Sequence, residues 1–324
     1  MTALKRHSKK IPTIGLLIES SRESGRALLC GIARFAHHYG PWAFYWEPGG
    51  LEKGWPQLKA LNVDGIILRD VDKLEEVADL KIPAVVIGHS QTEVPNLVNV
   101  VTDSSAIGQI GAEHLLNCGF KHFAFCGYGN ASPSPVMRES FTWSDFRRES
   151  FERRIHKAGF TVHAYTTLSA TTEGWREERH KMAVWLQSLP KPIGLMACND
   201  DCGRQAMEAC KLAGLLVPDD VGVLGADNDE VVCGLSEPSM SSVAINFERA
   251  GYETAQALNR ALRGKKRAPA KIIVSATHVV ARRSTDFMAV SDSHVAKALK
   301  FVRDHVQENI LVTDISRAAG LSRR

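Results

Sequence analysis

From residue 13 to about residue 285 the chain alternates short apolar runs with stretches of helical periodicity. No other feature restricts its fold as much. Thr13–Ile18 reads as a buried strand. A helix over Ser24–Tyr39 follows, in which Leu28, Ile32, Phe35 and Tyr39 recur at three- and four-residue steps and share one face. Ala43–Glu47, Gly65–Leu68, Ala84–Ile87 and Val98–Thr102 are further apolar runs, and a helix at Ser104–Cys118 leads into a strand at Phe123–Cys126. The pattern then repeats. Helix Ser144–Ala158 precedes strand Phe160–Tyr165, helix Gly174–Gln187 precedes Ile193–Ala197, and helix Cys202–Ala213 precedes Val221–Leu224. Short apolar strands separated by helices predict parallel sheets covered on both faces. One such sheet needs only about half of this chain, so the expected fold is α/β, with two doubly wound parallel-sheet lobes.

Composition narrows the class further. A chain of 324 residues, 44% hydrophobic and 23% charged, is neither disordered, collagen-like nor a small disulfide scaffold. Its net charge of +4 is matched by Lys5, Arg6, Lys9 and Lys10 alone, so bulk charge argues for neither nucleic acid nor membrane. The seven cysteines, Cys30, Cys118, Cys126, Cys198, Cys202, Cys210 and Cys233, show no Cys-x-x-Cys spacing and no accompanying histidine pair. They read as packing thiols in a reducing cytoplasm. Ile14–Ile18 is too short and too quickly closed by Glu19 to be a signal peptide, and no run approaches the roughly eighteen apolar residues of a membrane span. Gly225-Ala-Asp-Asn-Asp lacks the spacing of a dinucleotide fingerprint, and no nucleophile elbow, phosphate loop or metal-spaced histidine set occurs. No cofactor, metal or catalytic set is expected.

In doubly wound sheets, ligands sit beyond the carboxyl ends of the strands. The residues there are Glu19, Ser20, Ser21 and Arg22; Asp70; His89; Tyr128; Asn199 and Asp200; and Asp227 and Asn228. A carboxylate or amide can hold two neighbouring hydroxyls, and arginine donates two parallel hydrogen bonds. Trp143, just before the helix that carries Arg147, could cover an apolar sugar face. This chemistry suits a polyhydroxylated small molecule.

Several segments in a fixed order resemble the LacI/GalR regulatory core. They are Val101-Thr-Asp-Ser, Gly108, Ala112, Glu113-His-Leu-Leu-Asn-Cys-Gly119, Arg147-Arg-Glu-Ser-Phe151, Ala197-Cys-Asn-Asp200 and Gly214-Leu-Leu-Val-Pro-Asp-Asp-Val221, running into Val223-Leu-Gly-Ala-Asp227. The resemblance implies a periplasmic-binding-protein-like core of two lobes joined by several chain crossings, with sugar in the interlobe cleft. Arg147, Asn199 and Asp227 match that family's ligand-contacting positions; Asp200 follows the same motif, or serves the helix N-terminus instead. Arg22, Arg26, Asp70 and His89 are first-lobe candidates by placement. The core is expected over 11–285, with a first lobe of 11–118 and 246–270 and a second of 119–245 and 271–285. The helix-turn-helix and hinge that precede such cores do not precede the first strand here.

After a linker at 286–292, Ser293 is expected to cap a helix bearing Val295, Leu299, Val302 and Val306. Val312–Arg324 then reads as a short helix, a turn at Gly320 and the start of another helix. This tail, 293–324, resembles the opening of an AraC/XylS-type DNA-binding module, here incomplete. Ser322, Arg323 and Arg324 would lie near DNA phosphates, with the recognition helix beyond Arg324. Together the two resemblances imply a carbohydrate-responsive, dimeric, DNA-binding regulator, an activator of xylose or related sugar genes with a pentose as effector. A transporter-associated sugar-binding protein without a DNA role shares the fold but needs export.

Overall fold

The computed structural model of the chain describes residues 10–50, 58, 60–69, 79–88, 97–129, 142–167, 175–264, 271–287 and 292–321. Two six-stranded sheets organise them. The first contains β1 (Thr13–Leu17), β2 (Ala43–Trp46), β3 (Gly65–Arg69), β4 (Ala84–Ile87), β5 (Val98–Thr102) and β11 (Lys271–Val274). Their order is β11-β5-β4-β3-β1-β2, and every pairing is parallel. The second contains β6 (His122–Tyr128), β7 (Val162–Thr167), β8 (Ile193–Ala197), β9 (Val221–Asp227), β10 (Ser241–Ile245) and β12 (Ala276–Val280). Its order is β12-β10-β9-β8-β6-β7, parallel except for β12 against β10. Central strands such as β4 and β8 are buried along their whole length, which is why they read as unbroken apolar runs.

Helices α1 (Glu23–Tyr39) and α7 (Phe247–Leu262) pack together on the first sheet. The second sheet is covered by α2 (Ser104–Asn117), α3 (Thr142–Lys157), α4 (Trp175–Ser188) and α5 (Asp200–Ala213), with the short α6 (Glu230–Leu235) beside α5. The apolar spacing of α1 holds for Leu28, Ile32 and Phe35, which are buried, but not for Tyr39 at the helix end, which is exposed like His37 and His38. The turn Arg283–Thr285 closes the second lobe, and α8 (Ser293–Asp304) and α9 (Val312–Ala318) pack against each other beyond it.

Two lobe assignments differ from the sequence boundaries. Helix α2 packs on α3 and on β8, β9, β10 and β12, so it belongs to the second lobe, although 11–118 would place it in the first. Strand β11 extends β5 in the first sheet, although 271–285 would place it in the second. The cause is the same in both cases. Only the partner across the sheet or helix face decides the lobe, and that partner is distant in sequence. The chain thus crosses between lobes after Thr102, after Ile245 and at Ser275. Helix α8 is capped by Asp292 rather than by Ser293: the Asp292 carboxylate accepts from His294 N at 2.8 Å and Val295 N at 3.3 Å. Val306 lies beyond the end of α8 and is exposed.

Candidate functional site: the interlobe cleft

In each sheet the order of the strands reverses beside its first strand, between β1 and β3 and between β6 and β8, while the strands stay parallel. The carboxyl ends at those points place side chains in the crevice between the lobes. On the second lobe, α3 supplies Arg147. This guanidinium is 3% exposed, donates to the Cys198 carbonyl, and lies 3.3 Å from Asp227 Oδ1 at the end of β9. Its plane sits over the Trp143 ring, 4.7 Å from the centroid. Arg147 Nε is buried and has no hydrogen-bond partner among the described residues. A close approach of α2 holds α3 in this position. A Cβ on Gly108 would run into the Arg147 carbonyl oxygen.

Asp227 has φ +106° and Asn228 has φ +55°, both left-handed conformations that cost a side-chain-bearing residue free energy. Such strain is found where a loop must present a particular group. Burial pushes the Asp227 carboxyl above the usual carboxylate value, and the charges of Arg147 and Arg69 pull it back. Asn199 is the N-cap of α5; its Oδ1 accepts from Cys202 N at 2.9 Å, leaving the amide nitrogen to donate elsewhere.

The first lobe faces this group with Arg69, the last residue of β3, which the sequence reading passed over in favour of its neighbour Asp70. Arg69 Nη1 donates to Ser24 Oγ at 2.8 Å, and its charge acts on Asp227. Nothing in the local sequence distinguishes it. Its position beside the first switch point could have been found only from the strand order.

Other candidates fall differently. Asp200 is 3% exposed and both its oxygens are taken: its Oδ2 accepts from Asp229 N at 2.7 Å and its Oδ1 from Ser242 Oγ at 2.6 Å. Burial, with the Asp227 charge second, holds its carboxyl well above the ordinary range. Asp200 therefore ties α5 to the loop after β9 instead of reaching a ligand. Trp143 is 8% exposed, and its face is occupied by Arg147, so it supports the arginine and is not an open platform for sugar. Arg26 donates within its own turn, to Ser20 O, Ser21 O and Glu23 Oε2, and its Nη2 also lies 4.0 Å from Asp229 Oδ1 of the other lobe. Arg22 pairs with Asp201 of the other lobe at 3.0 Å. Beside it, Glu23 N donates to Asp229 Oδ2 at 2.9 Å. With the Arg26–Asp229 pair, these contacts join the lobes at one side of the cleft. Asp70, His89, Ser322, Arg323 and Arg324 lie outside the described residues. The cysteines are all free thiols; Cys126 and Cys202 are buried with their sulfurs 3.5 Å apart.

Two parallel-sheet lobes, three crossings and a polar cleft at the carboxyl ends of the strands define a periplasmic-binding-protein-like core. The family model for the periplasmic binding protein-like domain matches residues 112–285, more than half of the chain, and the chain belongs to this family. It is 30% identical over 265 residues to the xylose operon regulatory protein of Escherichia coli (strain K12), and 29% identical over 263 residues to that of Haemophilus influenzae. Each match covers 80% of this chain and 66% of the relative, so the chain spans a little under two thirds of the length of either regulator. Among solved structures, a xylose-binding transcription activator xylR superposes with a TM-score of 0.78 at 26% identity, covering 97% of this chain and 80% of that one. No helix among the described residues is long and apolar enough to cross a membrane.

Proposed function

We propose that the chain is the sensing part of a carbohydrate-responsive transcription regulator, with a monosaccharide, specifically a pentose, as its effector. One observation supports this reading: Arg147 from the second lobe and Arg69 from the first both act on Asp227, and Asn199 follows Cys198, whose carbonyl accepts from Arg147. Planar, forked donors beside a carboxylate are the groups that hold vicinal hydroxyls. The names borne by the relatives support xylose in particular. Sugar contacts made to both lobes would favour the closed arrangement that Glu23 and Asp229 already join, because a ligand shifts an equilibrium only through its differential affinity.

The helices α8 and α9 are the beginning of an AraC-type DNA-reading module in this reading, and Ser322, Arg323 and Arg324 approach operator phosphates. A cytoplasmic homodimer would present two such readers to paired half-sites, and the regulator acts as an activator. Calorimetric titration with pentoses, hexoses and sugar acids tests the effector. A pentose bound at one site per chain and recovered unchanged is the expected outcome. Absence of binding across the panel contradicts the reading, and chemical turnover of the bound sugar would make the chain an enzyme.

A further inference from the structure

The segment leaving the second sheet is fastened more firmly than a linker needs to be. Arg282 donates from Nη1 to Met240 O at 2.9 Å and from Nη2 to Asn228 Oδ1 at 2.8 Å. Asn228 is the residue next to Asp227, and its own N–H donates to Ser242 Oγ at 3.0 Å. Past Arg282, Ser284 Oγ donates to Val223 O at 2.5 Å, and Thr285 Oγ1 lies 2.8 Å from His114 Nε2 and 2.7 Å from Ser241 Oγ. Phe287 stacks on Phe120 with ring centroids 4.3 Å apart. Helix α8 is then held to Asp219 by Lys300 at 2.6 Å and Arg303 at 2.8 Å, while Arg303 also donates to Asp286 O at 2.9 Å. Every partner in this series is a second-lobe or junction residue.

We propose that Arg282 is a positioning residue that couples the effector loop to the C-terminal helices. Asn228 and Asp227 share one strained turn, so a ligand that draws on Asp227 reorients the acceptor that Arg282 holds. Arg282 begins the segment that carries α8 and α9, and the fastening of that segment to the second lobe makes the helices follow. A hydrogen bond to a charged donor is strong enough for this, and its loss is not absorbed by solvent where the donor is partly buried. The inference rests on the cleft being the effector site.

Hydrogen–deuterium exchange on the full chain tests it, with wild type, Asn228→Gly, Asn228→Asp and Arg282→Ala. Glycine keeps the positive φ without strain and removes the acceptor, whereas aspartate keeps an acceptor. Without sugar, Asn228→Gly is expected to raise exchange over 293–318 by about tenfold. Exchange in α7 of the first lobe should not change, and Asn228→Asp should match the wild type. With D-xylose at saturation, exchange over 293–318 changes in the wild type but not in Arg282→Ala, which leaves the residues of the cleft in place and by calorimetry still binds the sugar. Unchanged exchange over 293–318 in sugar-free Asn228→Gly, or a rise spread evenly over both lobes, overturns the coupling whether or not a sugar binds. Failure of the whole sugar panel to bind the wild type removes the effector reading and the signalling role with it, and the sugar-free comparison still decides the mechanical link.

Discussion

The Arg147 guanidinium stands 3.3 Å from Asp227 Oδ1 and donates from its other terminal nitrogen to the Cys198 carbonyl, while Trp143 lies beneath its plane. Three demands thus meet on one side chain: a forked donor, a fixed plane and a buried positive charge. Lysine satisfies only the last. Arg147→Lys is expected to lower sugar affinity by at least tenfold, the equivalent of about 1.4 kcal/mol. Arg147→Ala should abolish binding and cost about 3 kcal/mol of stability, because it leaves Asp227 without its partner. Calorimetry and urea unfolding separate the two effects.

Gly108 sets the height of the same arginine. Its Cα lies against the α3 backbone at Arg147 and Phe151, where a methyl group has no room. Gly108→Ala is expected to push α3 outward, with a cost of about 1–3 kcal/mol and a loss of sugar affinity. Unchanged affinity with lowered stability would show that the placement of α3 tolerates the shift.

The alternation of apolar runs and helices was enough to reveal two parallel-sheet lobes, because a strand buried on both faces has an unmistakable composition in β4 and β8. Arg147, Asn199 and Asp227 were singled out through the resemblance they carry, and the structure pairs Arg147 with Asp227. Other features were not, and each failed for the same physical reason. The lobe that receives α2 or β11, the role of Arg69, the inward turn of Asp200 and the bond from Arg282 to Asn228 all depend on partners far along the chain. Short-range periodicity has no access to them. Trp143 was recognised as an aromatic near the site, but which group its face would meet depended on the rotamer of Arg147 one turn later.

Asp229 joins the lobes while capping a helix. Its Oδ1 accepts from Val231 N at 3.1 Å and Val232 N at 3.3 Å, and its Oδ2 accepts from Glu23 N at 2.9 Å. Asp229→Ala is expected to cost about 1 kcal/mol through the lost cap and to weaken sugar binding by opening the cleft. Small-angle scattering of the sugar-free variant should show a larger radius of gyration than the wild type. Arg22→Ala removes only the partly exposed pair with Asp201, and its effect on affinity should stay within a few-fold.

The attachment of α8 is expected to weaken in acid. Burial alone would raise the Asp219 carboxyl, but hydrogen bonds from Lys300 and Arg303 outweigh it and hold the group below its usual value. A carboxyl depressed in the folded state contributes stability above its unfolded pKa of about 3.9, and loses that contribution as pH falls through the folded value. Docking of α8 should therefore be constant at neutral pH and weaken below about pH 4. Asp219→Asn should reproduce the weakening at neutral pH, seen as faster amide exchange confined to 293–304. Equal exchange in the variant and the wild type would show that Asp219 does not hold the helix.

The most direct measurement is calorimetric titration of D-xylose into the wild type and into Asp227→Asn, a substitution that keeps the shape of the side chain and removes its charge. The expected result is one-site binding to the wild type, weakened at least tenfold in the variant at a temperature well below its unfolding midpoint, which falls because the buried Arg147 loses its charged partner. Equal binding by both proteins, or binding by neither, would contradict a pentose held between Arg147 and Asp227.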